Sequence, residues 1–395
     1  MGAIIEVPGP GANVAVLRKE RGWGQDQLAA RAGVSKSLLG KIERGERALT
    51  QGVAAALAQA LGVGLEVVNG KVPVQTEDES KLRALNSAIR RFDLAHPPEM
   101  GEPELRSRLA EMVALRGKAK LREVLEGLPE LVSAATNYAH ATNTPEAWSM
   151  VAEAYSAVYW LAARHRWMTL ADLAVTKQKL AAQQADPLTL AVAARDEAGV
   201  HLNHGDFEDG LAVVDRGLVR VESTAGDGPE RAYALGILHL RGLTLAGRLR
   251  DRRTADRHIA KAWQISENFS QDVNRLGIHF GPQNTAVHVI ATSADLDRHA
   301  DVFATMDDLE RIERAGKLVL PPTRTSHLHM SAARSRLALN DRERALEELE
   351  KVWKIAPQLA RTNPTAQELL RVLTSKHKRS NPRLTALAKQ ARVRF

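Results

Sequence analysis

Apolar residues recur with helical spacing along almost the whole chain, and the breaks between patterns are short runs rich in Gly, Asp, Asn or Pro. This period of about 3.6 residues predicts helices and an all-α fold. After residue 101 the helical patterns cover residues 103–115, 119–139, 145–164, 167–183, 187–203, 206–222, 229–247, 253–269, 283–294, 297–314, 322–338, 341–355, 364–375 and 382–392.

Two short helical patterns meet at Gly33 inside the stretch from Gln25 to Arg44. Glycine tolerates the left-handed backbone that a tight turn requires, and the small Ala29 lets two helices cross closely. Ser35 stands where an N-cap is needed, because its hydroxyl can accept from an amide two or three residues later. The stretch therefore predicts a helix-turn-helix unit.

The second of these helices has a polar face made of Lys36, Ser37, Gly40 and Lys41. Cationic and polar side chains at the exposed start of such a helix suit a DNA major groove. Glycine inside a helix costs about 1 kcal/mol relative to alanine. Gly40 therefore either lets the backbone approach DNA closely or simply weakens the helix.

Further helical patterns before and after this unit predict a five-helix domain over residues 1–70. Residues 71–101 combine a linker with an amphipathic helix at 81–95, whose apolar stripe is either a dimer contact or a surface packed on the next domain. Residues 102–395 form the third segment, a series of helices.

Composition narrows the classes of protein. The chain has no cysteine, which excludes thiolate chemistry and is compatible with a reducing cytoplasm. No apolar run approaches 18 residues, so we expect a cytoplasmic protein without a membrane partner.

Net charge is +8, and residues 371–395 carry eight basic and no acidic residues. That tail is either an auxiliary phosphate-binding arm or a solvated helix end.

Residues 17–29, followed by Gly33-Val34-Ser35 and Ile42-Glu43-Arg44-Gly45, resemble the phage-repressor-like, xenobiotic-response-element (XRE) class of helix-turn-helix regulators. The resemblance implies that Arg18 pairs with Glu43 in a structural role. It also implies double-stranded DNA as a partner, and the implied DNA-binding residues are Gln25, Ser35, Lys36, Ser37, Lys41 and Arg44. Among these, Lys36, Ser37 and Lys41 read base edges, while Gln25 and Arg44 hold phosphates.

The C-terminal helices show a faint repeat. Small residues near helix starts fall at a constant step of 45, at Gly210, Ala255, Ala300 and Ala345. Around Gly205-Asp206-Phe207 the sequence resembles tetratricopeptide-type repeats, which implies a right-handed α-solenoid of stacked helical hairpins. A repressor-like domain followed by degenerate helical repeats also resembles regulators common in actinobacteria.

Stacked hairpins create a concave surface on which a peptide, a small molecule or a small protein could bind. We predict Asn203, Arg241, Asn284 and His288 as ligand-binding residues, with Asn284 the strongest single candidate. Further candidates for this surface, some of which could equally be core residues, are Tyr155, Tyr159, Trp160, His239 and His327. The pair His201 and His204 lacks a completing carboxylate, so we expect no metal and no cofactor.

These observations predict a DNA-binding transcriptional regulator with a helical-repeat sensor. One such domain reads few base pairs, so we expect a homodimer on two half-sites about 34 Å, or a multiple of that distance, apart. The alternative is an interaction scaffold that binds DNA weakly or not at all, because residues 1–70 carry only eight basic against six acidic residues. No catalytic motif is present, and an unrecognised enzyme would require a deep, enclosed polar pocket.

Overall fold

The computed structural model describes residues 9–69, 76–224, 226–377 and 381–391. Within these ranges the chain is helical apart from one two-stranded sheet, which confirms the all-α prediction. Among the described helices, none is both long and apolar enough to cross a lipid bilayer.

Five helices form the N-terminal domain: α1 (Pro10–Glu20), α2 (Gln25–Arg31), α3 (Lys36–Glu43), α4 (Gln51–Leu61) and α5 (Leu65–Asn69). They enclose a small separate core whose fully buried members include Val14, Leu28, Leu39 and Leu57. Five helices are what the helical patterns predict for this domain.

The connecting helix α6 (Thr76–Arg90) begins five residues earlier than predicted and ends before Phe92. Leu85 and Ile89 on its apolar stripe are fully buried, and so nearly is Phe92 beyond its end. These residues join the core of the following helices, where α6 packs on α8 (Leu121–Thr142). The stripe is thus a packing surface in this chain.

The remaining helices are α7 (Glu102–Gly117), α9 (Pro145–His165), α10 (Met168–Ala182), α11 (Pro187–His204), α12 (Phe207–Thr224), α13 (Pro229–Leu249), α14 (Arg252–Ser266), α15 (Pro282–Asp295), α16 (His299–Arg314), α17 (Pro322–Ala338), α18 (Arg342–Ile355), α19 (Pro357–Thr362), α20 (Pro364–His377) and α21 (Pro382–Ala391). Successive helices pack in pairs, such as α11 with α12 and α13 with α14. Gly205 ends α11 with a φ of +93°, a left-handed conformation suited to glycine.

The regular step of 45 residues is wrong at one position. Gly210, Ala255 and Ala345 are each the fourth residue of their helix and are buried. Ala300 is exposed, and the fully buried Val302 is the fourth residue of α16 instead. Three of the four small residues thus share one place in their helices, and the fourth does not.

The helical patterns do not predict the antiparallel hairpin of β1 (Val273–Arg275) and β2 (Ile278–Phe280). Leu276 and Gly277 form its two-residue turn with φ values of +49° and +72°, as in a type I′ turn. The Phe280 ring is fully buried and takes the place of a side chain at Gly236 on α13. The hairpin thus lies against the repeats.

The N-terminal domain contacts the repeats through α4 and α5, which pack on α13 and α11. Arg166, just after α9, donates from Nη1 to the carbonyl oxygen of Asn69 across 2.5 Å. Ser375 on α20 donates to the carbonyl oxygen of Gly45 across 2.9 Å.

Candidate DNA interface and ligand cavity

The turn between α2 and α3 has the geometry that the sequence predicts. Gly33 has a φ of +63°, and the amide of Val34 donates to the carbonyl oxygen of Ala29 across 3.0 Å. Ser35 caps α3, since its hydroxyl accepts from the amide of Leu38 across 3.1 Å. Ala29 is buried at the contact between the helices.

Helix α3 packs on α1 and α2 and directs Lys36, Ser37 and Lys41 into solvent. Lys36 forms an ion pair with Asp26 across 2.8 Å, but both side chains are mostly exposed, at 60% and 71%. Such an exposed pair contributes little, so Lys36 can exchange its partner for a phosphate or base at small cost. Exposed Arg44 is paired in the same way with Glu46, at 2.6 Å.

Gln25 lies between α2 and the end of α3 and donates from Nε2 to Oε2 of Glu43 across 2.8 Å. Arg18 donates to both carboxylate oxygens of Glu43, at 2.7 and 2.8 Å, and to the carbonyl oxygen of Trp23. Burial opposes ionisation of Glu43, but the hydrogen bonds from Arg18 and Gln25 outweigh it and lower the pKa of the carboxyl group. The Arg18–Glu43 pair is thus part of the domain core.

Gly40 is buried beneath two side chains. A Cβ at this position would lie 3.2 Å from Nη1 of Arg44 and 3.5 Å from Oε1 of Gln25. The missing side chain therefore makes room for Gln25 and Arg44. Close approach of a DNA backbone to Gly40 would require both side chains to move first.

The described part of the basic tail is largely neutralised within the repeats. Arg383 forms ion pairs with Glu343 and Glu350, the latter at 2.6 Å. Arg371 lies 3.7 Å from Glu368, on the same helix. Residues 378–380 and 392–395, which hold several basic residues of the tail, lie outside the described ranges. For the described arginines, the geometry favours the structural interpretation over a phosphate-binding arm.

A cavity of about 350 Å³ lies where the N-terminal domain meets the concave side of the repeats. The N-terminal domain contributes Gln51, Leu65, Glu66 and Asn69 to the lining, and the β-hairpin contributes Gly277, Ile278 and His279. Helices of the repeats contribute the rest. A ligand in this cavity would therefore contact both parts of the chain.

Arginines dominate the lining of this cavity. Eight of them contribute, from five helices and the residue after α9: Arg116, Arg164, Arg166, Arg195, Arg241, Arg248, Arg324 and Arg334. The lining includes two carboxylates, Glu66 and Asp196. Asp196 already pairs with Arg195 at 2.5 Å and accepts from Ser156 and Gln178. Behind the lining, Asp295 pairs with Arg248 at 2.8 Å and Arg334 at 2.7 Å.

Burial disfavours the charged form of three other cavity arginines, Arg116, Arg241 and Arg324. Burial lowers the pKa values of Arg116 and Arg241 to about 10 and that of Arg324 to about 9. Repulsion from neighbouring arginines lowers each of them further. All three remain cationic at neutral pH, since these pKa values still lie well above 7.

The cavity brings together three of the four predicted ligand-binding residues. Arg241 and His288 line it, and so does Asn203, whose Nδ2 lies 3.3 Å from the hydroxyl of Tyr159. Asn284 does not line it. Asn284 is fully buried, its side-chain amide donates to the carbonyl oxygen of His279 across 2.8 Å, and its backbone amide donates to Oδ2 of Asp272 across 2.8 Å. Its role here is to hold the β-hairpin against α15.

The wider set of candidates divides in the same way. Tyr159, Trp160 and His327 line the cavity, whereas Tyr155 is fully buried in the core. His239 on α13 does not line the cavity and instead contacts His258 on α14, with 2.9 Å between the two Nδ1 atoms. Among the described residues, no group of three or more His, Asp or Glu side chains is arranged to hold a metal ion.

Sequence reasoning missed seven of the eight cavity arginines. One signal was present: Arg195 and Arg241 are 46 residues apart, about one repeat, and Nε of Arg241 donates to the carbonyl oxygen of Arg195. Arg116 and Arg324 lie on α7 and α17, which are far apart in the sequence. No periodicity could have paired them.

The family model described as helix-turn-helix matches residues 14–68. An uncharacterized helix-turn-helix-type transcriptional regulator of Sinorhizobium fredii, y4dJ, is 47% identical over 53 residues, which are 13% of this chain and 69% of that protein.

Two solved structures are similar to this chain over most of its length, at low identity. The PrgX/iCF10 complex is 11% identical, with 88% of this chain and 97% of that chain covered at a TM-score of 0.35. Bacillus thuringiensis PlcR, in complex with the peptide PapR7 and DNA, is 14% identical, with 79% and 99% covered and the same TM-score of 0.35. Through its N-terminal domain the chain belongs to the family of helix-turn-helix transcriptional regulators.

Proposed function

We propose that the chain binds DNA sequence-selectively by placing α3 in the major groove. Lys36, Ser37 and Lys41 would contact base edges, while Gln25 and Arg44 would hold phosphates on either side. Ser35 keeps its hydroxyl for the cap of α3, so its contribution would be to position the helix start. The observation that carries this proposal is the solvent exposure of the polar face of α3.

The way the domain docks supports the same function. It contacts the repeats through α4, α5 and the turn at Gly45, while Lys36, Ser37 and Lys41 on α3 stay exposed. A duplex could therefore reach α3 without first displacing the repeats. We propose a homodimer on two half-sites about 34 Å apart, because one such domain reads few base pairs. It would act in the cytoplasm.

We further propose that the repeat domain is a sensor whose ligand binds in the arginine-lined cavity. Three of the four residues predicted from the sequence line this cavity, together with Gln51, Leu65, Glu66 and Asn69 of the N-terminal domain. A ligand there could favour one arrangement of the two domains over another, provided that it binds the two arrangements with different affinity.

Selection of binding sites from a random duplex library, followed by gel-shift titration against salt, tests the DNA-binding role. Lys41→Ala should cost about 1 to 3 kcal/mol at one base position and relax selectivity there. Lys261→Ala, which alters an exposed lysine on α14, is the matched control and should bind normally. If the full-length chain enriches no sequence, the interaction-scaffold alternative gains support instead.

A further inference from the structure

The cavity holds more positive charge than its own carboxylates balance. Five of its arginines form no ion pair within the described residues: Arg116, Arg164, Arg166, Arg241 and Arg324. Burial raises the pKa values of the nearby carboxyl groups of Glu153 and Asp272. Uncompensated charge of one sign within a protein is expensive, and it is found where a ligand of opposite charge binds.

Several guanidinium groups also lack hydrogen-bond acceptors. Among the residues that the structure describes, buried Nε and Nη1 of Arg116 have no hydrogen-bond partner, and neither has Nε of Arg164 or of Arg334. Buried donors normally find acceptors, because each unsatisfied donor costs free energy. These donors can therefore take an acceptor from a bound ligand, since the described part of the chain supplies none.

Two glycines make room for the arginines. A Cβ at Gly277 on the β-hairpin would collide with Nη1 of Arg116, and a Cβ at Gly199 on α11 would collide with the hydroxyl of Tyr159 and lie 2.9 Å from Nη2 of Arg241. Both glycines thus leave space beside a guanidinium group. Gly277 has a φ of +72°, a conformation that also favours glycine.

We propose that this cavity binds a compact polyanion, a small molecule that carries several phosphate or carboxylate groups. The inference rests on the proposed sensor role and specifies its ligand. The planar guanidinium fork matches phosphate and carboxylate oxygens in bidentate geometry. A volume of about 350 Å³ is that of a small-molecule site. A duplex, whose major groove alone is about 12 Å wide, does not fit.

Isothermal titration calorimetry and thermal melting of the full-length chain test this proposal. The probes are tripolyphosphate for phosphate ligands and a tetraglutamate peptide for carboxylate ligands, with adenosine and a tetraglutamine peptide as neutral controls. We expect at least one anionic probe to bind once per chain and to raise the Tm with concentration, while the neutral controls do nothing. Which of the two binds distinguishes the two sources of anion.

Arg324→Gln and Arg241→Gln locate the site, and each should weaken probe binding at least about tenfold. The same substitutions should leave the Tm of the ligand-free chain unchanged or raised, because they relieve repulsion among like charges. If the two arginines had only a structural role, the substitutions would instead lower this Tm. Arg253→Gln, which alters an exposed arginine on α14, is the matched control and should bind the probes normally.

Three results would overturn the proposal. They are absence of binding by both anionic probes, equal binding of the neutral controls, and loss of probe binding in Lys41→Ala, which would place the anion on the DNA-binding face. Site selection from the duplex library is measured separately on the same chain. If the library enriches a site but no anion binds, the polyanion is wrong and the regulator stands. If an anion binds but the library enriches no site, the chain is an anion-binding protein without the regulatory role.

Discussion

The side-chain amide of Gln25 donates to Oε2 of Glu43 across 2.8 Å and so joins the start of α2 to the end of α3. Arg18 holds the same carboxylate from the other side, and its side chain and that of Glu43 are 10% and 6% exposed. The carboxylate of Glu43 in the domain core thus orients Gln25, which we expect to contact DNA.

Glu43→Gln should destabilise the N-terminal domain by about 3 kcal/mol, because it leaves the nearly buried Arg18 without its counter-charge. Hydrogen exchange of amides in α1 to α3 would measure the loss locally. Since the pKa of Glu43 is lowered, the stabilisation is present above about pH 4.3 and is lost as the pH falls. Asp26→Asn, which removes an exposed ion pair, should change exchange little. Equal effects of the two substitutions would contradict the core role of Glu43.

Gly40→Ala should raise the free energy of unfolding by up to about 1 kcal/mol, because alanine is the better helix former. The Cβ would approach the flexible end of Arg44 to 3.2 Å, which a small shift of that side chain relieves. Urea denaturation measures stability, and a gel shift measures DNA affinity. Unchanged affinity is the expected result, since Gln25 and Arg44 already cover this position. A large loss of affinity with intact stability would restore the idea that the DNA backbone approaches Gly40.

The burial of His239 and His258 makes stability depend on pH. Burial lowers the pKa of each ring from 6.5 to about 4, and the charge of His258 lowers that of His239 further. Between these values the unfolded chain binds protons that the folded chain does not, so stability should fall as the pH drops from 6.5 towards 4. For His258, which is 1% exposed, the loss has an upper limit of about 3 kcal/mol.

Melting curves from pH 7.5 to 5 test this dependence. His258→Phe, which keeps a ring beside Gly242, should flatten the fall in Tm. Exposed His96 offers a control, and His96→Gln should keep the full dependence. If both variants behave alike, the acid sensitivity belongs to other groups.

Gly52→Ala should weaken the docking of the N-terminal domain on the repeats. A Cβ at Gly52 would lie 2.6 Å from the carbonyl oxygen of Arg248, so backbone must move, at a cost of about 1 to 3 kcal/mol. Faster hydrogen exchange in α4 and at the end of α13 would report the change. Gly24→Ala, with open space around the new Cβ, should leave exchange there unaltered. If hydrogen exchange in α4 and at the end of α13 stays unchanged in Gly52→Ala, α4 can shift on the repeats without loss of stability.

Sequence reasoning succeeded for elements that depend on neighbours in the chain. The Gly33 turn, the Ser35 cap and the exposed face of α3 follow from residues within one or two helical turns of each other. It failed for Ala300, because a small residue at the expected spacing does not reveal a helix that begins later. It also missed the β-hairpin, whose strands are only three residues each.

The sequence by itself determined the helices, the helix-turn-helix unit and the identity of the residues that face outward from it, since local hydrophobic spacing and capping decide these. Only the tertiary structure decided that Arg116, Arg164, Arg241 and Arg324 share one cavity. It also decided that Asn284 supports the hairpin and does not line that cavity. The reason is that charges from helices distant in the sequence meet only after the hairpins stack, and no local pattern encodes how far each hairpin turns relative to the next.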